Sequence, residues 1–159
     1  MSDDEAMNDS SAPPFVDEQV ASIDAPAEIV RDALLGTLDR SFSRPGATAY
    51  ARAVGCVPDH ASGPRPLTVG SSVPGFAVTA SSEQEVVLEG RHRFSTYVWT
   101  FRLDPAGDGR TLLRAETRAA FPGLVGAAYR TLVIGSRGHA LGTRRLLAGV
   151  RRRAEAGAR

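Results

Sequence analysis

Apolar residues along the chain follow two periods, alternation in some stretches and helical spacing in others, and together they predict strand, helix, meander and long helix in that order. FVDEQVASI (15–23) is strand-like. DAPAEIVRDALLGTL (24–38) follows, with Asp24 as the expected N-cap, Pro26 near the first turn and Ile29, Val30, Ala33 and Leu34 at helical spacing. Residues 55–75 are crowded with Gly, Pro and Ser and read as a long irregular connection. Three extended stretches come next, 76–90 in two pieces, 92–103 and 110–121, with DPAGDG as the turn between the last two. They predict an antiparallel meander. Alternation places Tyr97, Trp99, Phe101 and Leu103 on one face, and Leu113, Ala115, Thr117, Ala119 and Phe121 on one face of the last strand, opposite Arg114, Glu116 and Arg118. Those charged residues are expected to face solvent.

The C-terminal pattern predicts one helix over 124–153, docked on the sheet. On a helical wheel Val125, Ala128, Tyr129, Leu132, Leu146, Leu147 and Val150 share a stripe, and Arg130, Arg137, Arg144 and Arg145 lie away from it. His139 falls about 20° from Leu132 on the same wheel, with Ser136 and Thr143 beside it. Gly135, Gly142 and Gly149 recur along one flank, although glycine inside a helix costs about 1 kcal/mol relative to alanine. Three readings stand open. The glycines let Trp99 and Tyr97 close against the helix, with His139 a hydrogen-bonded core residue; or they leave room for a ligand whose polar end meets His139; or the helix breaks between Gly135 and Gly138 and the wheel does not run through the break.

A strand leading into SIDAPAEIVRDAL, then a meander, then a long amphipathic helix, resembles the START-like helix-grip superfamily (SRPBCC), which includes aromatic polyketide cyclases and lipid and hormone binders. The resemblance spans residues 15–155. It implies an α+β helix-grip fold, with a curved antiparallel sheet wrapped around the C-terminal helix and an apolar cavity between them. The expected function is binding of a hydrophobic or aromatic small molecule there. The alternatives are a cyclase/dehydratase-type enzyme acting on a polyketide-like substrate and a partner-binding module without a ligand. Candidate cavity residues are Tyr97, Trp99, Thr117, Leu132, Gly135, Ser136, His139, Gly142 and Thr143. His139 is the candidate for proton transfer, because its ordinary pKa suits acid and base work near neutral pH. The resemblance carries no catalytic motif that maps onto this chain.

Composition narrows the chemistry. A chain of 159 residues fits one domain, and a formal charge of +1 removes the electrostatic drive of a nucleic-acid binder. All basic residues are arginine, so a Schiff-base lysine and a P-loop lysine are both excluded. Residues 1–14 are acidic and polar and are expected to be a disordered tail, with no secretory signal. With no apolar run long enough to span a membrane, the chain is expected to be cytoplasmic. Cys56 is the lone cysteine, which rules out an intrachain disulfide. Asp59 and His60 follow it closely, but proximity in a proline-containing loop does not position a base. GSRGHALG lacks the spacing and the βαβ context of a dinucleotide loop, and Glu89, Arg91, His92 and Glu116 have no metal-ligand spacing, so neither cofactor nor metal is expected. The arginine run at 151–153 reads as a solvated helix end or as a contact for acidic lipid.

Overall fold

The computed structural model describes residues 12–159, so the first 11 residues of the expected tail lie outside it. The strand β1 (Phe15–Ile23) leads into α1 (Ala27–Phe42), whose cap position is occupied by Pro26. Asp24 does not cap α1; its backbone N–H instead donates to the Glu155 carboxylate at 3.2 Å. A short helix, α2 (Ala47–Val54), follows between two glycines in the left-handed conformation, Gly46 and Gly55. Sequence reading did not anticipate it. The remaining strands are β2 (Ser72–Val73), β3 (Phe76–Ser81), β4 (Glu85–His92), β5 (Ser95–Pro105) and β6 (Thr111–Ala120). They form one antiparallel sheet in the order β1-β6-β5-β4-β3-β2.

Register decides what each row of the inner face can do. Val86, Phe101 and Ala115 sit opposite one another across β4, β5 and β6, and all three are fully buried. Leu103 opposite Leu113 extends this packed end of the face. The next row is Leu88, Trp99, Thr117 and Asp17, and the one after it is Gly90, Tyr97 and Ala119. Side-chain volume therefore falls on both sides of Tyr97. On the opposite face Arg114 pairs with Asp104 and Glu18, while Glu116 pairs with Arg118 and Arg102. The hydrogen bond from Arg118 holds the Glu116 carboxyl below its ordinary value.

Residues 122–155 do not form one helix. They form α3 (Gly123–Arg130), a π turn (Thr131–Gly135) and α4 (Gly138–Gly157). The break lies at Arg137, whose φ of 60° is left-handed, and the Ser136 hydroxyl stabilises it by donating to the Val133 carbonyl at 3.4 Å while accepting from the Gly138 N–H. The two flanking glycines, 135 and 138, are the weakest helix formers after proline. A π turn and a left-handed residue together reset the helical phase, so the continuous stripe does not exist. Val125 and Leu132 are 64% and 69% exposed, whereas Leu146, Leu147, Val150 and Ala154 are buried against α1 and the sheet.

Candidate functional site

Between the helices and the Tyr97 end of the inner face lies a cavity of about 880 Å³. The sheet contributes Phe76, Tyr97, Trp99, Thr117 and Ala119 to its wall; α1 contributes Thr37 and Phe42, and α4 contributes His139, Gly142, Thr143 and Leu146. Phe76 is the centre of the aromatic wall, with ring centroids 4.9 Å from Phe42, 5.1 Å from Tyr97 and 5.7 Å from Trp99. Such tilted and edge-on contacts fix ring orientation as well as burying area. Two buried polar atoms of the wall, Thr37 Oγ1 and Trp99 Nε1, have no hydrogen-bond partner among the described residues, so the wall retains unused hydrogen-bonding capacity.

Glycine shapes this space from two sides for different reasons. A Cβ at Gly90 would overlap the Gly75 carbonyl oxygen and stand 2.7 Å from the Tyr97 ring, so only glycine lets Tyr97 lie flat there and donate its hydroxyl to that carbonyl at 2.7 Å. Burial pushes the Tyr97 phenol far above its ordinary pKa and raises the neighbouring Cys56 thiol as well. A Cβ at Gly142 would meet nothing within 4 Å, and one at Gly149 would make ordinary contact with Thr37 at 3.6 Å and Arg152 at 3.9 Å. The α4 glycines are therefore not demanded by a strand or by Trp99 closing on the helix. Gly142 borders empty space.

His139 stands over the Thr117 row. Its Nε2 lies 2.9 Å from Thr117 Oγ1 and 3.5 Å from Asp17 Oδ1. The other Asp17 oxygen accepts from Gln19 at 3.3 Å, and Gln19 in turn accepts from Arg144 at 2.9 Å. The Thr143 hydroxyl donates to the His139 carbonyl at 3.1 Å and ties the first turn of α4 together. Thr117 is the hydrogen-bond partner that positions the ring, while Asp17 Oδ1 is buried with no hydrogen-bond partner among the described residues. Asp17 was missed by sequence reading. Its signal was the alternation of Asp17, Gln19, Ala21 and Ile23 along one face of β1.

His92 joins the opposite end of the wall, 4.9 Å from the Tyr129 ring and 5.5 Å from that of Tyr97. Its Nδ1 accepts the Phe94 backbone N–H at 3.1 Å, and burial lowers its pKa. The fold thus holds the neutral ring. Because the folded pKa lies below the unfolded one, the unfolded chain binds the extra proton first as pH falls. Stability should therefore be complete above about pH 6.5 and decline below it. Urea midpoints at about pH 7.5 and about pH 5.5 should differ in the wild type, and the difference should shrink in His92→Gln. An unchanged difference would remove His92 as its source.

Of the sequence candidates, Tyr97, Trp99, Thr117, His139, Gly142 and Thr143 line the cavity. Leu132, Gly135 and Ser136 do not; they are exposed on the turn before α4, because the helix break rotates them away from the sheet. Cys56 lines the cavity, while His60 bonds Asp59 at 2.6 Å on the surface, so the two are not presented as a nucleophile and base. Hydrogen bonding to His60 holds the Asp59 carboxyl low. Among the described residues no three His, Cys, Asp or Glu side chains are gathered as a metal would require, and no helix is long and apolar enough to cross a membrane.

No family model matches the sequence, and no curated protein matches it either. Solved structures do. Protein CV1439 of Chromobacterium violaceum aligns at 16% identity over 89% of this chain and 99% of its own, with a TM-score of 0.54. TTHA0849 of Thermus thermophilus aligns at 18% identity over 92% and 100%, with a TM-score of 0.53. Ara h 8.0201 aligns at 9% identity over 88% and 97%, with a TM-score of 0.52. The chain has the START-like helix-grip fold. In this helix grip the gripped element is α4, and α3 with the π turn forms a separate segment beside the opening rather than an extension of the helix. Identities this low speak to the fold and leave the chemistry to the residues of this cavity.

Proposed function

We propose that the protein binds a hydrophobic or aromatic small molecule between α4 and the sheet. The observation that carries this reading is the cavity itself, about 880 Å³, walled by Phe42, Phe76, Tyr97 and Trp99 and bordered on α4 by Gly142, beside which no other atom stands within 4 Å of a built Cβ. Ligand pockets are commonly 300–1,000 Å³ with apolar walls and a few polar groups, and this one fits that range. Native mass spectrometry of the purified protein, together with titration by the neutral dye N-phenylnaphthylamine, tests it. A discrete co-purifying adduct or saturable dye uptake is expected. Neither result would favour a module that binds a partner without a ligand.

A second reading is a cyclase/dehydratase-type enzyme on a polyketide-like substrate, and the specific observation favouring it is the placement of His139 between Thr117 and Asp17 at the cavity wall. Here His139 moves the proton and Thr117 orients the ring. His139→Gln and His139→Asn retain hydrogen bonding but remove titration in the relevant range. In an enzyme they should lower the rate at least about a hundredfold with binding intact. In a carrier they should change ligand affinity less than about tenfold, the worth of one hydrogen bond, with no turnover in the wild type.

A further inference from the structure

The opening of the cavity carries charge of one sign. Arg40, Arg44, Arg145 and Arg152 belong to its lining, all four are exposed, and among the described residues no aspartate or glutamate lines it with them. The whole chain has a formal charge of only +1, so this concentration of four cations is local. Elsewhere six of the other fifteen arginines are paired, Arg52 and Arg151 among them. Arg65, Arg102, Arg114 and Arg118 each pair with a carboxylate, but among the described residues none of the four at the opening forms an ion pair. A favourable interaction with the helix dipole accounts for Arg40 and Arg44, which lie in and just beyond the last turn of α1. It does not account for Arg145 and Arg152, which lie inside α4. A low-dielectric wall beside a cluster of like charges focuses the field, and guanidinium groups present paired donors suited to oxyanions.

We propose that the ligand is an amphipathic anion, with an apolar or aromatic body inside the cavity and an oxyanion such as a carboxylate, sulfonate or phosphate held by the arginine rim. This inference rests on the ligand-binding reading and adds the charge of the ligand to it. Two dyes with one aromatic skeleton test it: anilinonaphthalene sulfonate, which carries the anion, and N-phenylnaphthylamine, which does not. The full-length wild type should bind the sulfonate at least about tenfold more tightly at low salt, with the preference shrinking as salt rises. Arg145→Gln with Arg152→Gln should abolish most of that preference and leave the affinity for the neutral dye unchanged. Arg110→Gln, in the turn between β5 and β6, should alter neither. Because all these side chains are exposed, the variants should keep the wild-type melting temperature, which is measured alongside.

The possible failures are distinguishable. Equal affinity for both dyes in the wild type overturns the anionic ligand and leaves the apolar cavity standing. A sulfonate preference that survives the rim substitutions overturns the assignment to these arginines. Failure of both dyes to bind overturns the ligand-binding reading, and this inference falls with it.

Discussion

Gly142→Phe should abolish uptake of apolar ligands while the protein remains folded. Gly142 is on the wall of the cavity in the second turn of α4, and the space where its side chain would begin holds no atom within 4 Å. A benzyl group there projects into the ligand's place without displacing core residues, so the loss of binding should reach about a hundredfold or more, as expected when a cavity is filled rather than reshaped. Gly142→Ala separates the two effects. It removes the helix penalty of glycine at an unstrained, unobstructed position and should raise stability by about 0.5–1 kcal/mol with little change in binding. Calorimetry and dye titration on the same samples would measure both. Wild-type affinity in Gly142→Phe would mean that the ligand does not occupy the space beside α4.

Phe101→Ala should cost about 3–5 kcal/mol, a large share of the stability of an ordinary domain. Phe101 is fully buried at the packed end of the inner face, between Val86 and Ala115 in its row and 4.9 Å from the Trp99 ring. Alanine opposite it cannot move in to fill the gap, so the cavity term adds to the lost burial. Trp99 is the only tryptophan in the chain and borders both Phe101 and the ligand cavity, so its fluorescence reports the urea transition directly. A loss below about 1 kcal/mol would show that this end of the face is loosely packed. Tyr97 provides the contrast. It is only partly buried and faces the cavity, so its truncation should disturb ligand binding more than folding.

Strand and helix order, the meander and the inward faces of β5 and β6 were legible in the sequence because alternation with period two is a local property, insensitive to what the strands pack against. The amphipathic α1 and the buried positions Leu146, Leu147 and Val150 were legible for the same reason at period 3.6. A wheel assumes constant phase, however, and it failed where one left-handed residue, Arg137, and a π turn changed that phase between Leu132 and His139. His139 faces the sheet and Leu132 does not, although the wheel placed them together. The short helix α2 was hidden because its eight residues lie between Gly46 and Gly55 and beside a Gly- and Pro-rich stretch that drew the whole region into a loop. Asp17 beside His139 and the four arginines at one opening were decided only by the tertiary structure. They come from β1, α1 and α4, segments separated by up to a hundred residues or more, and no local period relates them. Register between β1 and β6 brings Asp17 opposite Thr117, and packing of α4 against α1 places Arg145 and Arg152 on the lining of the same cavity as Arg40 and Arg44.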